Sequence, residues 1–356
     1  METQPPVYEV LLIGDSGNIK RHQPDELFEM MKHHLPLGHP SAVIFLGDNI
    51  YPVGLPDEKS PLRADAELVL QKHHEALKNY EGKVIFISGN HDWNKGKEDG
   101  FDYVIRQEKY LEKLFNDKNI FLPANGCPGP KEVNINPQLS IVAINTQWWL
   151  QEGYRPIGQK QGCGVETEND FFIKLTAILE KNKHKRVLIL GHYPIYSESL
   201  HGGKYSLQHH LFPLTLYKKN AFLPLPFVGS VLPMYRKFFG AKEDISHPLF
   251  RQLRLRLKAI FEKHDNLIYA CGHEHNLQYI KRHNNHFIVS GAASKSTYVL
   301  QGKYSKFGLA AKGFFKLKFF ADLSVKAEAI IVDDENPKGE LVYETWIYGQ
   351  NRNNNL

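Results

Sequence analysis

Five apolar segments of this chain each end in a glycine that is followed at once by aspartate, asparagine or histidine. The five pairs are Gly14-Asp15, Gly47-Asp48, Gly89-Asn90, Gly191-His192 and Gly272-His273. Short apolar runs rich in β-branched residues predict buried strands, and strand carboxyl ends form the ligand crevice of α/β folds. One such pair is typical of an ordinary turn. Five of them predict that side chains far apart in the chain converge on one site.

The predicted strands alternate with segments of helical spacing, as an α/β architecture requires. Strands are predicted at residues 8–13, 42–46, 83–88, 140–145, 186–190 and 266–270, and helices at 25–34, 63–80, 101–115, 167–182 and 249–263. Residues 314–320, 325–332 and 340–347 read as antiparallel strands within a C-terminal region, 311–349. We expect residues 1–356 to form one α/β domain.

Residues 202–247 interrupt this alternation with prolines, aromatic residues and no clear period, so the segment is predicted to be an insertion. Three prolines lie in its apolar centre, residues 221–235, and they exclude a continuous helix that crosses a membrane. A lid over a site, or a surface that docks a membrane or a protein, is the expected role.

The net charge of +5 favours anionic substrates but is too small for a nucleic-acid-binding signature. No apolar run approaches the length of a transmembrane helix. Cys127 and Cys163 lie in loops and are expected to pair if the protein is exported, whereas Cys271 is expected to be buried and free. A periplasmic or secreted protein whose leader is absent from this chain, and a cytoplasmic protein, both remain open. The oligomeric state is not predicted.

The segment Gly272-His273-Glu274-His275 places two imidazoles two residues apart, and on an extended backbone such side chains point the same way. They can therefore serve two adjacent metal ions. Two-metal hydrolases hold their ions about 3.5 to 4 Å apart, a distance that one carboxylate can bridge. Asp48 is the candidate bridge.

The charges of the candidate ligands indicate two unlike metals. A first set of Asp15, Asp48, Tyr51 and His275 has three anionic donors once the tyrosine is ionised, which suits Fe(III). A second set contains Asp48, Asn90, His192 and His273. Its only charge is the shared carboxylate, which suits a divalent ion such as Fe(II), Zn(II) or Mn(II).

These motifs resemble those of the purple acid phosphatases, and most closely the small tartrate-resistant branch, within the calcineurin-like metallophosphoesterases. The resemblance rests on Gly14-Asp15-Ser16-Gly17 and on residues 47–51, 89–92, 191–194 and 272–275, in this order. It implies a four-layer α/β/β/α sandwich that the C-terminal strands close, and the same two ligand sets. The position of Tyr51 separates purple acid phosphatases from protein phosphatases and nucleases of the superfamily.

The resemblance also implies residues that handle the substrate. His91 matches a histidine that contacts the phosphoryl group or the leaving oxygen, with Asp92 supporting it, and His201 matches a second substrate histidine. Ser16 replaces a tryptophan of the small branch and is expected to change the pocket wall. Trp148 and Trp149 either line the rim of the crevice or pack in the core.

The predicted function is hydrolysis of phosphate monoesters by in-line attack of a metal-bound hydroxide, with His91 and His201 stabilising or protonating the leaving group. A phosphodiesterase acting on nucleotides or lipid headgroups is the alternative enzyme. An interaction module with a vestigial metal site is the alternative from another class.

Overall fold

The structure, a computed structural model, describes residues 4–19, 23–216, 220–225 and 228–349. The strands are β1 (Tyr8–Ile13), β2 (Ser41–Phe45), β3 (Lys83–Phe86), β4 (Lys131–Asn134), β5 (Leu139–Ala143), β6 (Arg186–Leu190), β7 (Leu267–Cys271), β8 (Leu277–Arg282), β9 (Asn285–Ser290), β10 (Ser305–Leu309), β11 (Gly313–Phe319), β12 (Val325–Ile331) and β13 (Glu340–Tyr348). The helices are α1 (Glu26–His34), α2 (Arg63–Ala76), α3 (Gly100–Phe115), α4 (Glu168–Lys181), α5 (Leu207–Leu211), α6 (Val231–Phe238) and α7 (Pro248–Phe261).

The strands form two mixed sheets. The first has the order β13-β12-β11-β1-β2-β3, in which β1, β2 and β3 run parallel and the three C-terminal strands extend the free edge of β1. The second has the order β10-β8-β9-β7-β6-β5-β4, with β5, β6, β7 and β9 parallel. Parallel neighbours end at the same edge of a sheet, so each sheet presents several carboxyl ends side by side.

The two sheets stack face to face, and the alternation of side chains along the strands builds three apolar clusters. In β1, Val10 and Leu12 point into the core between the sheets, whereas Leu11 and Ile13 point outward against α1, α2 and α3. On the second sheet the outward residues pack against α4 and α7. The result is the predicted α/β/β/α sandwich.

Every predicted helix and strand has a counterpart in the structure; β1 and β6 have the predicted ends, and the other elements have shifted ends. The strands β4, β8, β9 and β10 were not predicted, because they mix polar with apolar residues instead of forming a continuous apolar run. The hairpin of β8 and β9 turns at His283, whose φ is 53°. The segment 202–247 contains the short helices α5 and α6.

Cys127 and Cys163 form a disulfide with their Cα atoms 5.5 Å apart, and Cys271 is a buried free thiol. Within the described ranges, no helix combines the length and the apolar composition needed to cross a membrane.

Candidate metal centre

The structure brings the seven predicted metal ligands to one edge of the sandwich. Asp15, Asp48 and Asn90 follow β1, β2 and β3 of the first sheet, and Tyr51 lies in the loop after Asp48. The other three ligands, His192, His273 and His275, follow β6 and β7 of the second sheet. The site is therefore shared between the carboxyl ends of two sheets that face each other.

In the first predicted ligand set, the Tyr51 hydroxyl lies close to the other three residues. The hydroxyl oxygen lies 3.1 Å from Asp15 Oδ1, 3.0 Å from Asp48 Oδ2 and 3.1 Å from His275 Nε2. His275 Nε2 is also 3.4 Å from Asp15 Oδ1. Four donor atoms from three loops thus surround one point.

In the second predicted ligand set, His192 and His273 both lie close to the amide oxygen of Asn90. This Oδ1 atom lies 3.0 Å from His192 Nε2 and 3.1 Å from His273 Nδ1, and the two ring nitrogens are 3.3 Å apart. The opposite nitrogen of each ring faces a backbone carbonyl, His192 Nδ1 at 2.8 Å from Leu46 and His273 Nε2 at 2.7 Å from Glu243.

The backbone carbonyls decide which ring nitrogens carry protons, because a carbonyl oxygen can only accept. His192 Nδ1 and His273 Nε2 therefore donate, and the remaining nitrogens present lone pairs toward each other and toward the oxygen of Asn90. Three acceptors that face one another are unfavourable unless a cation lies among them. Ligand histidines in metal sites are oriented in the same way by their second nitrogen, so these residues fit a metal ion.

Asp48 joins the two halves of the site. Its Oδ2 atom faces Tyr51, while its Oδ1 atom lies 3.5 Å from His192 Nε2. Ligand atoms of Asp15, Asp48 and His192 all lie within 4.8 Å of one another, and the three residues are buried. The two oxygens of one carboxylate are thus directed to two neighbouring positions, as a bridge between metal ions requires.

Three of these ligands have a left-handed backbone that side-chain-bearing residues seldom adopt. The φ angle is 60° at Asp15, 54° at Asp48 and 71° at His273. Such conformations cost roughly 1–3 kcal/mol each and cluster at functional sites. A β-carbon added at Gly89 would overlap Asp48 Oδ1, and one at Gly272 would overlap Asp15 Oδ2. Two glycines of the motif pairs therefore leave the space that the ligand carboxylates fill.

The electrostatics of the site also favour bound cations. Burial and the negative charges of Asp15 and Asp48 raise the pKa of the Tyr51 phenol well above its ordinary value. Burial and the neighbouring His201 and His192 hold the pKa of His273 well below its ordinary value. A cation would stabilise both the ionised phenol and the neutral imidazole, which are the forms that bind metals.

Asp92 does not support His91 as predicted, and its position requires a correction. Its buried carboxylate accepts hydrogen bonds from the backbone N–H groups of Asp48 at 2.8 Å, Asn49 at 3.0 Å and Gly89 at 2.7 Å. The His91 ring instead places Nδ1 2.6 Å from the carbonyl oxygen of Pro52. Asp92 therefore holds together the two loops that carry Asp48 and Asn90.

The two predicted substrate histidines lie on opposite sides of the site. His91 Nε2 is 3.8 Å from Asp48 Oδ2, and its ring packs against Tyr51 with centroids 4.2 Å apart. The His201 ring lies 4.4 Å from that of His273. Burial alone would lower the pKa of His201, but the hydrogen bond with Asp244 and the negative charges of Glu274 and Asp244 together outweigh burial and raise the pKa.

Residues of the segment 202–247 contact the site, and sequence reasoning did not identify them. The carboxylate of Asp244 accepts hydrogen bonds from His201 Nδ1 at 3.0 Å and from Arg236 Nε at 2.9 Å. Glu243 contributes its backbone oxygen to His273 and a carboxylate oxygen 3.5 Å from Asn90 Nδ2. Glu243 and Asp244 are the only acidic residues between Glu198 and Glu262, and this isolation is the sequence signal that could have identified them.

Ser16, Trp148 and Trp149 do not line the site. Ser16 is buried, and its hydroxyl lies 2.8 Å from Nε2 of His73 in α2, so its side chain packs against this helix. Trp149 packs against Phe171 with ring centroids 4.7 Å apart, and both tryptophans are buried. Core packing, one of the two alternatives, is therefore the role of this pair.

Residues 8–277 match the calcineurin-like phosphoesterase family, and the chain belongs to this family. Comparison with curated protein sequences yields no match.

Several solved structures share the fold at low sequence identity. The chain is similar to GAP50, the anchor in the inner membrane complex of Plasmodium, with a TM-score of 0.53 and 14% identity over 95% of this chain and 88% of that one. It is similar to the purple acid phosphatase PPD1 of yellow lupin (Lupinus luteus), with a TM-score of 0.53 and 15% identity over 96% of this chain and 54% of that one. PhoD gives a TM-score of 0.54 and 9% identity over 98% of this chain and 73% of that one. The chain thus spans about half the length of the lupin enzyme.

Proposed function

We propose that this protein hydrolyses phosphate monoesters as an acid phosphatase of the purple, tartrate-resistant type. The observation that carries the proposal is the placement of the Tyr51 hydroxyl 3.0 to 3.1 Å from atoms of Asp15, Asp48 and His275. A phenol oxygen among two carboxylates and an imidazole is a donor set suited to Fe(III).

Asp15, Asp48, Tyr51 and His275 would hold the Fe(III) ion, and Asp48, Asn90, His192 and His273 a divalent ion such as Fe(II), Zn(II) or Mn(II). When bound, such ions supply positive charge to the phosphoryl oxygens and lower the pKa of a coordinated water. The carbonyls of Leu46 and Glu243 accept from the opposite ring nitrogens and so aim the ligand nitrogens of His192 and His273 at the site.

His201 is the residue best suited to donate a proton to the leaving oxygen. Asp244 accepts from its Nδ1 and raises its pKa, which leaves Nε2 as the protonated atom available to substrate at mildly acidic pH. His91 donates from Nδ1 to the carbonyl of Pro52, so its Nε2 faces Asp48 and the space above the site. This atom would contact a phosphoryl oxygen.

The test is a visible spectrum combined with turnover. An iron-loaded protein should show a phenolate charge-transfer band and hydrolyse p-nitrophenyl phosphate faster at acid than at neutral pH. The variant Tyr51→Phe is the matched control, because it removes only the phenolic oxygen and should lose the band. An iron-loaded protein without the band contradicts the assignment of Fe(III) to Tyr51.

The same protein should be assayed on bis(p-nitrophenyl) phosphate. A higher kcat/KM on this diester than on the monoester would contradict the proposed substrate class and leave the metal assignment standing.

A further inference from the structure

Helix α6 carries an apolar stripe that faces solvent. The stripe consists of Val231, Met234, Tyr235 and Phe238 on the helix and Phe239 directly after it. Their spacing of three and four residues places them on one helical face, and each is more than half exposed. A surface helix ordinarily turns such a face toward the core.

The opposite side of α6 is the side that packs on the protein. Pro233 is buried, and Arg236 donates from Nε to the carboxylate of Asp244 at 2.9 Å. The helix is therefore held in place by an ion pair while its apolar residues remain outside. Because Asp244 also contacts His201, this orientation is tied to the metal centre.

The sequence on either side of the stripe is basic. Between Glu198 and Glu262 the sequence contains ten lysine and arginine residues and two acidic residues, Glu243 and Asp244. Asp244 is buried and Glu243 is half-buried beside Asn90 and His273, so both carboxylates lie at the site.

Exposed cations lie next to the stripe. Lys237 is exposed on α6, and the exposed Arg251 of α7 lines one groove together with Tyr235, Phe238 and Phe239. Phe222 and Leu223, 56% and 55% exposed, add apolar surface from the same segment.

We propose that the apolar stripe binds the surface of a bilayer that contains anionic lipids, with α6 lying in the plane of the interface. Helices of this kind bury an apolar face at the headgroup boundary and place basic residues against anionic headgroups. The combination of exposed aromatic residues, neighbouring cations and carboxylates turned toward the site matches this chemistry. The proposal goes beyond the proposed phosphatase activity and does not depend on it.

The experiment is flotation of the full chain with vesicles of phosphatidylcholine alone and of phosphatidylcholine with phosphatidylglycerol. The protein should float with the anionic vesicles and much less with the neutral ones. Phe238→Ser combined with Phe239→Ser should lower partitioning roughly tenfold or more through lost apolar contact. Lys237→Gln should lower it about fivefold through the loss of one positive charge.

Ile173→Ser is the matched control, because Ile173 is 60% exposed on α4, outside the stripe. It should float like the parent protein, and turnover of p-nitrophenyl phosphate should be unchanged in all variants. Equal flotation with neutral and anionic vesicles, or unchanged flotation of the Phe238 and Phe239 variant, overturns the proposal. The proposal is also overturned if the parent protein does not float but forms dimers that the double variant abolishes. In that case the stripe binds a second copy of the chain.

Discussion

Replacing Asp244 by asparagine tests how the segment 202–247 is attached to the metal centre. Oδ1 of Asp244 accepts from His201 and from Nη2 of Arg236, and Oδ2 accepts from Nε of Arg236 at 2.9 Å and from the backbone N–H of Ala241 at 2.8 Å. An asparagine side chain keeps one acceptor oxygen. In either orientation of the side chain, its NH2 group faces two hydrogen-bond donors, one of which is the Arg236 guanidinium.

The size of the expected loss in the free energy of unfolding follows from these lost contacts. A hydrogen bond to a charged group contributes roughly 1.5–3 kcal/mol and a neutral one about 1 kcal/mol, so Asp244→Asn should lower the free energy of unfolding by about 3 kcal/mol. Removal of one partner of a buried ion pair costs up to about 5 kcal/mol, but the Arg236 side chain is 20% exposed and the lower value applies.

The substitution should also change the pH dependence. Because Asp244 raises the pKa of His201, the native state holds this proton more tightly than the unfolded chain does. The resulting stability is fully present below the unfolded pKa of about 6.5 and is lost as pH rises through the raised value. In Asp244→Asn the loss of stability with rising pH should disappear. The alkaline limb of the profile of kcat against pH should move to lower pH.

The assays are urea unfolding followed by tryptophan fluorescence at pH 6 and pH 8, and kcat against pH on p-nitrophenyl phosphate. Arg236→Met combined with Asp244→Asn is the matched control, because it removes the unpaired guanidinium and should recover part of the lost stability. An Asp244→Asn variant with unchanged unfolding midpoint and an unchanged pH profile would refute the role assigned to this carboxylate.

Three further results are expected. Gly89→Ala should retain its far-UV circular dichroism but lose at least about tenfold in metal affinity, measured by competition with a chelator, because the added methyl group overlaps Asp48 Oδ1. Burial lowers the pKa of His286 to about 3, so the native state resists protonation. Between pH 6.5 and 5 stability should therefore fall by up to about 2 kcal/mol on account of this residue, and the slope of melting temperature against pH should be smaller in His286→Phe. Chelation of the metals should abolish turnover, and iron with zinc should restore it; full activity in a protein shown by elemental analysis to be metal-free would contradict the proposed chemistry.

The sequence alone determined the strands that carry the site. Each glycine and its polar neighbour follow an apolar run of a few residues, so the signal is local, and parallel strands necessarily end at a common edge. The grouping of Tyr51 with Asp15, Asp48 and His275 was also predicted, because the resemblance of the motifs to those of purple acid phosphatases implies it and the donor charges agree with it.

Only the tertiary structure decided which residues support the ligands. Asp92 lies beside His91 in the chain, yet the fold buries its carboxylate under three backbone N–H groups of two loops. Ser16 follows Asp15 directly, but on the strand-to-loop turn its hydroxyl points to His73 instead of the pocket. Neighbours in sequence can point in opposite directions, and the backbone conformation that decides this depends on contacts with distant segments.

The segment 202–247 shows most clearly that sequence patterns do not predict contacts between distant residues. Its lack of periodicity marked it as an insertion, but no local pattern could reveal that Glu243 meets His273 or that Arg236 and His201 share Asp244. These contacts join residues separated by up to 43 positions. They exist because the chain folds back over the carboxyl ends of both sheets, a geometry that only the packed structure specifies.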